Sequence, residues 1–431
     1  MARTTSGVCR VGLLGLGTVG AAVADLLVRR RDEIAARAGL AVHLQRAAVA
    51  HPERQRDVSL PDGVLASDAR LVVEDPAVDI VAELIGGIEP ARTYIHAALA
   101  RGKAVVTANK LLMSTRGDEL RAAAAAAGVD LFFEASVGGG IPVIKTIQEA
   151  LAGNRISQVM GIVNGTTNFI LTRMAHDGVG FAEALAEAQR RGYAEADPSD
   201  DVDGHDAAAK LAILASVAFN SRVAGADVYR EGIGAVTPRI IGYARELGYV
   251  VKLLAIARQV DGAIEARVHP ALLPVSHPLA AVVDELNAVL IEGDPVGLVV
   301  LEGRGAGGGP TASAVMGDLI DAARNRSAGS AGRLGFVAGV RRPIREMADA
   351  VLEYCISLEV VDRPGVFARV AAAFGDEQVS IASIVQKSRG PTADVVLVTH
   401  EASEAAMVRV LARLRALNVV AAVPAVLRIA A

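Results

Sequence analysis

The sequence predicts an α/β protein in three parts: an N-terminal doubly wound parallel sheet of Rossmann type, an α+β second domain, and a C-terminal ferredoxin-like βαββαβ module. Three observations predict it. An apolar strand runs directly into a glycine-rich turn and a helix near the N-terminus. Strand and helix patterns then alternate to about residue 135, as a parallel sheet with helical crossovers requires. From Tyr354 the order becomes strand, helix, strand, strand, helix, strand.

The first strand, Val11 to Gly15, opens into Gly15-Leu-Gly-Thr18-Val19-Gly20 and the helical AAVADLLVRRR. Strand, GxGxxG and helix in that order give the context that a Rossmann-type dinucleotide fingerprint needs. Gly15 allows the tight turn, Gly17 lets backbone approach the pyrophosphate, Gly20 lets helix pack on strand, and Thr18 and Val19 supply amides at the helix start. A ligand-free βα turn is the competing reading. The second strand, roughly Val42 to Ala50, ends in His51-Pro-Glu-Arg54-Gln-Arg56. A carboxylate that grips the ribose hydroxyls usually stands at this strand end in NAD-preferring sites. With none immediately there and two arginines just beyond, the expectation is NADP(H) with Arg54 or Arg56 near the 2'-phosphate, NAD(H) remaining usable. Solvated surface arginines are the alternative.

DIVAELIGG, AVVTANK and VDLFFEA continue the βα pattern. Gly86 and Lys110 fall just after strands, at the carboxyl edge where such sheets bind ligands. Lys110 there can reach a phosphate, a nicotinamide amide or a substrate carboxylate, or extend into solvent. After Glu134, a Gly-rich crossover (ASVGGGIP) leads to the second region. Asn164-Gly-Thr-Thr-Asn168, with Thr166 the candidate substrate contact, offers small polar groups suited to a carboxylate or carbonyl oxygen, or equally an N-cap and turn. The cluster at 303–309, with Gly305 as candidate cofactor contact, is a backbone surface for a ligand or a hinge before the helix TASAVMGDLIDAARN.

Between Gly192 and Lys210 stand Glu195, Asp197, Asp200, Asp201, Asp203 and Asp206, with Lys210 the first cation to follow. Carboxylates this dense repel one another, so solvent, a metal, a cationic substrate or the lysine must offset them. From Asp206 the sequence reads as a helix, which puts Asp206 and Lys210 on one face.

Composition bounds the rest. The chain has 431 residues, 52% hydrophobic but only 3% aromatic, and a net charge of -4. That excludes base stacking as a main business and gives no basic field for nucleic acid or anionic membrane. Two cysteines, Cys9 and Cys355, are too few for a disulfide framework and fit a reducing cytoplasm. The N-terminal apolar run is too short for a secretory signal, and no segment reaches the ~18 apolar residues of a membrane span. Residues 326–349, rich in Ser, Gly and Arg, read as a linker. The expected domains are therefore 1–135, 136–325 with its last helix returning to the first domain, the linker, and 350–431.

Together GLGTVG, ELIGG, TANK, EASVGGGIP, GIVNGTTN, GYAEADPSDDVDGHDAAAKL, ELGYVVKLLAIA and GAGGGPTASAV resemble homoserine dehydrogenase. The βαββαβ module with DRPGVF at Asp362 to Phe367 is similar to an ACT domain. No kinase-like segment precedes Val11, so the resemblance is to the stand-alone form. It implies Lys210 as proton shuttle, with Asp206 holding substrate beside it. It further implies Glu195 on the substrate amino group, Gly192 near the cofactor, and Lys110 between nicotinamide and substrate. Glu134 with the carbonyls of Val137, Gly139 and Ile141 matches a monovalent cation site, Na+ or K+. Homodimers or homotetramers and feedback by L-threonine through the ACT domain are also implied.

The chemistry suits these residues. Reducing L-aspartate 4-semialdehyde to L-homoserine takes a hydride on carbon and a proton on the developing alkoxide, which Lys210 can donate while Lys110 adds positive potential. The substrate ammonium gives Glu195 and Asp206 a use. The other four acids cap turns, support these two or meet solvent. The rival readings are another NADP-linked amino- or oxo-acid dehydrogenase, a non-catalytic nucleotide and amino-acid sensor, and a divalent-metal hydrolase built on the acids.

Overall fold

The computed structural model describes residues 7–332, 341–387 and 390–430. The first six residues, the 333–340 part of the predicted linker and Ser388 at the end of the predicted strand SIASIVQKS lie outside the described residues. The chain divides into two compact units. One comprises Met1–Ser157, Ala209–Ala226 and Ile291–Arg341, the other Gln158–Ala208, Asp227–Leu290 and Arg342–Ala431.

The first unit holds strands β1 (Val8–Leu14), β2 (Ala41–Ala48), β3 (Leu65–Ala66), β4 (Ile80–Glu83), β5 (Ala104–Thr107) and β6 (Leu131–Phe132). They form one parallel sheet in the order β3-β2-β1-β4-β5-β6. Every residue of β4 and β5 is buried. Helices cover both faces of such a sheet, which is why these strands read as continuous apolar runs without alternation. The order reverses between β1 and β4, so the loops after these two strands diverge and leave a crevice. The helix Gly308–Ala328 belongs to this unit: Ala312, Val315, Leu319 and Ala323 join the core formed by Val11 and Leu13 of β1 and by Val23 and Leu27 of the helix Thr18–Arg29.

The remaining strands are β7 (Arg155–Ile162), β8 (Tyr229–Arg230), β9 (Tyr249–Val260), β10 (Ala263–Pro274), β11 (Leu286–Asp294), β12 (Gly297–Arg304), β13 (Val351–Val361), β14 (Ile381–Gln386), β15 (Thr392–Thr399), β16 (Ala402–Ser403) and β17 (Val420–Ile429). In the second unit the sheet runs β11-β7-β9-β10-β17-β13-β15-β14. β9 and β10 form a long antiparallel hairpin. The C-terminal part, β17-β13-β15-β14 with the helices Val366–Gly375 and Glu404–Ala416, is the expected βαββαβ module, packed around Tyr354, Ile356, Phe374, Leu397 and Leu414.

This module is joined to the rest of its unit by strand pairing. β17 lies parallel to β10, with Ala271 opposite Arg428 and Leu272 opposite Ile429. β8 pairs parallel with β10 a few residues earlier, at Arg267 and Val268. Among the described residues no helix is long and apolar enough to cross a membrane.

Candidate active site

In the first unit the glycine turn after β1 has the geometry that its sequence suggests. Gly15 has φ +97°, and a Cβ there would stand 2.7 Å from the Leu84 carbonyl oxygen. A Cβ on Gly20 would come within 2.1 Å of the Gly15 carbonyl oxygen, whereas one on Gly17 would meet nothing within 4 Å. Gly15 and Gly20 are therefore glycine for packing, and Gly17 for whatever approaches the turn. The turn, including Thr18, lines an open groove of about 1220 Å³ that extends past His51, Arg54, Gln55 and Arg56 to Asp68, Ile85 and Tyr94. Val19 lies in the first turn of the following helix. A groove of this size at a helix N-terminus, with Gly17 bare to it, fits a dinucleotide. Arg56 turns its guanidinium onto backbone, donating to the carbonyls of His51 at 2.6 Å and Arg54 at 2.5 Å. Arg54 is exposed on the groove wall.

Glu83, at the end of β4, organises the crevice between the loops. It is fully buried; one carboxylate oxygen accepts from the amides of Ile85 and Gly86, the other from the Thr107 hydroxyl at 2.7 Å. Thr107 Oγ1 in turn accepts from the Asn109 amide, and Asn109 Nδ2 donates to the Gly87 carbonyl. Asn109 also caps the helix Lys110–Ala127, its Oδ1 accepting from the Leu112 amide. Gly86 and the exposed Lys110 are thus held at neighbouring strand ends by one buried carboxylate. The sequence signal for Glu83 is an acid closing an apolar strand, a position without solvent to satisfy it.

Glu134 is also buried, and both its oxygens accept backbone amides, from Ile144 and Lys145. Burial pushes its carboxyl up, against the pull of those amides. Asp318 accepts from the Glu134 amide and is pushed up to about 8 by burial and by the Glu134 charge. Val137, Gly139 and Ile141 are buried close by in sequence, and the Ile141 carbonyl accepts from the Val143 amide. A Cβ on Gly139 would stand 2.4 Å from the Gly305 carbonyl oxygen, so these two glycine loops touch.

In the second unit Asn164 gathers two of the acids. Its Nδ2 donates to Asp206 Oδ2 at 2.9 Å and to Asp201 Oδ1 at 2.6 Å, while its Oδ1 accepts from the amide and hydroxyl of Thr167. Asn164 is therefore both the N-cap of the helix Gly165–Asp177 and the donor that aims the carboxylates. Asp206 is buried in the first turn of His205–Ala218, where the helix dipole favours a negative charge. That helix carries Lys210, partly exposed, one turn beyond Asp206. The boundary between the units passes through it, after Ala208.

The Thr166 hydroxyl donates to the Tyr193 carbonyl at 2.8 Å, fixing the Gly192–Ala196 stretch to this helix. Gln189 donates to the carbonyls of Glu195 and Ala196, which leaves the Glu195 side chain exposed. Gly192, with φ +76°, is exposed at the turn itself. Of the four acids set aside in the sequence, Asp197 closes its own turn on Ser199, whose hydroxyl first and amide second hold its carboxyl below the usual range. Asp201 shares the Asn164 amide with Asp206. Among the described residues no group of three or more His, Cys, Asp or Glu side chains could hold a metal ion. Behind Asn168 lies Lys252, nearly fully buried, donating to Asn168 Oδ1 at 3.1 Å and to the Val282 carbonyl.

Comparison with known proteins agrees with these pieces. Family models described as "Homoserine dehydrogenase, NAD binding domain", "Homoserine dehydrogenase" and "ACT domain" match residues 15–134, 142–320 and 356–418. The homoserine dehydrogenase of Corynebacterium glutamicum is 46% identical over 425 residues, covering 97% of this chain and 95% of its own. That of Mycobacterium tuberculosis is 47% identical over 431 residues, with 97% of each chain covered. This chain belongs to the homoserine dehydrogenase family. The structure of the Thiobacillus denitrificans homoserine dehydrogenase superposes with a TM-score of 0.93 at 43% identity, over 98% of each chain. A hyperthermophilic archaeal homoserine dehydrogenase in complex with NADPH gives a TM-score of 0.61 at 28% identity, over 74% of this chain and 98% of that one. The chain is thus an NAD(P)-linked oxidoreductase of the homoserine dehydrogenase family, acting on a CH–OH group, with a C-terminal ACT domain.

Proposed function

We propose that the chain interconverts L-aspartate 4-semialdehyde and L-homoserine with Lys210 moving the proton, Asp206 and Glu195 holding the substrate ammonium, and Lys110 adding positive potential. The observation that carries this assignment is the Asn164 clamp: two carboxylates are fixed at the start of the helix that presents Lys210 one turn later. A sensor would need no such acid beside a lysine, and the family's chemistry does.

The bound nicotinamide dinucleotide supplies or accepts the hydride. This chain's residues do the rest. Gly15, Gly17, Thr18, Val19, Gly20 and Gly86 receive the pyrophosphate side of the groove, and Gly192 and Gly305 offer bare backbone to the cofactor. Arg54 meets the 2'-phosphate of NADP(H), the preferred form, because Arg56 is committed to backbone carbonyls. Asp206, aimed by Asn164, binds the ammonium, and Thr166 keeps the turn before Glu195 in place. Lys210 gives its proton to the alkoxide on reduction and takes it back on oxidation.

Glu134 and the carbonyls of Val137, Gly139 and Ile141 would hold the monovalent cation, Na+ or K+, that the family resemblance implies, all being oxygen donors of the kind hard cations take. The ACT domain binds an amino-acid effector, L-threonine first among them, and the enzyme works as a homodimer or homotetramer in the cytoplasm. The domain limits are placed at 1–135, 136–325 and 350–431 with 326–349 as linker, into whose first residues the helix Gly308–Ala328 extends.

The test is a spectrophotometric assay of the full-length protein with homoserine and each of NAD and NADP, alone and with L-threonine. Lys210→Ala should lower kcat about a hundredfold or more, with substrate affinity retained. Near wild-type turnover in that variant removes the role assigned to Lys210.

A further inference from the structure

β8 and β17 lie one after the other along the same edge of β10, at Arg267–Val268 and at Ala271–Leu272. Arg428 of β17 is therefore brought beside Glu231, the residue that follows β8. Its Nη1 donates to Glu231 at 2.7 Å, while Nε and Nη2 hold Glu404, at 2.8 and 2.5 Å, in a two-pronged grip. The guanidinium is nearly buried and bridges an acid of the C-terminal module to one beyond it.

Glu231 leads straight into the acid loop. The Gly232 backbone lies so close to it that a Cβ would stand 2.4 Å from the Val202 carbonyl oxygen and 2.8 Å from Asp203 Cα. The Ile233 amide donates to that same Val202 carbonyl at 2.9 Å. On its other side this turn carries Asp201, which shares the Asn164 amide with Asp206. A continuous set of bonded or touching groups thus runs from Arg428 through Glu231, Gly232 and Val202 to the two clamped carboxylates.

We propose that Arg428, in the last strand of the C-terminal module, is a positioning residue for the substrate acids: by holding Glu231 it fixes the 231–233 segment on which the Asp200–Gly204 turn rests. This builds on the functional reading above, which makes Asp206 a substrate ligand; Asp201 supports it through the Asn164 side chain that both share. The planar fork of arginine is what lets one side chain hold Glu404 and Glu231 together, a geometry that lysine lacks.

Glu231→Gln and Arg428→Lys test it in the full chain. Glu231→Gln is the gentler change, because the Glu231 side chain is 39% exposed and the Arg428–Glu404 pair survives it. Two readouts are taken: KM for homoserine against KM for cofactor, and hydrogen exchange at the amides of Val202, Asp203, Gly204 and Ile233. The expected result is a rise of about three- to tenfold in KM for homoserine with cofactor KM unchanged, and faster exchange at those amides. Unchanged exchange in both variants overturns the proposal. So does an equal rise in both KM values, which would mean a general loss of structure. Faster exchange in a protein that does not turn over homoserine at all leaves the positioning role standing and removes the functional reading instead.

Discussion

The Asn164 side-chain nitrogen stands 2.9 Å from Asp206 Oδ2, and it serves Asp201 as well. Both carboxylates take their orientation from one amide. Asn164→Ala should lower kcat/KM for homoserine by about ten- to a hundredfold, the worth of a hydrogen bond to a charged group. It should also cost about 1 kcal/mol of stability through loss of the N-cap. Asn164→Asp places a third carboxylate against the pair and should do more damage to turnover while keeping the cap. Steady-state kinetics with denaturant unfolding of both variants separates the two effects.

The glycine turn makes a paired prediction. Gly17→Ala puts its methyl into open groove. Thermal stability should stay within about 2 °C of wild type, while KM for the cofactor rises about tenfold or more. Gly20→Ala instead drives a methyl against the Gly15 carbonyl. That variant should lose about 2 kcal/mol or more of stability as well as cofactor affinity. Melting curves and cofactor titrations of the two variants check the contrast.

Lys252 predicts a pH dependence. Burial pushes its ammonium down to about 8 from 10.5. Between those values the folded protein binds fewer protons than the unfolded chain, so stability from this group is complete above the unfolded value and is lost as pH falls through 8. A neutral amine still donates to Asn168 and Val282, so the contacts survive deprotonation. Raising the pH from 8 to 10 should add at most about 2 kcal/mol that Lys252→Met does not gain. Urea unfolding of both proteins across this range measures the difference.

The role proposed for Arg54 at the 2'-phosphate makes a cofactor-specific prediction. Arg54→Ala should lower kcat/KM for NADPH about tenfold while leaving NADH within about twofold, because only the former has a phosphate to lose. An equal fall with both cofactors places the 2'-phosphate elsewhere.

The strand, glycine turn and helix at Val11–Gly20 were legible because each rests on contacts a few residues apart. The βαββαβ module was legible from its alternation for the same reason. Partnerships made across the fold were not. Asn164 reads as the first residue of a capped helix, and nothing nearby says that its other end serves Asp206, 42 residues on. Lys252 reads as an interruption in an apolar strand until Asn168, 84 residues earlier, is seen against it. Glu231 and Arg428 are 197 residues apart, and only the shared edge of β10 brings them together. Residue type signals that a buried charge must have a partner; the topology alone says which one.

The pairing of β17 with β10 has a consequence for biosynthesis. The strand that completes the edge of β10 follows it in the chain only after β11 to β16, so the acid loop resting on Glu231 cannot reach its final support until β17 has been made. Premature termination, or a truncation meant to remove only the C-terminal module, would leave β10 with bare backbone donors and acceptors along that edge. A chain lacking β17 should therefore be prone to pairing with its neighbours, which makes a correctly formed β17 a checkpoint for this edge of the second unit.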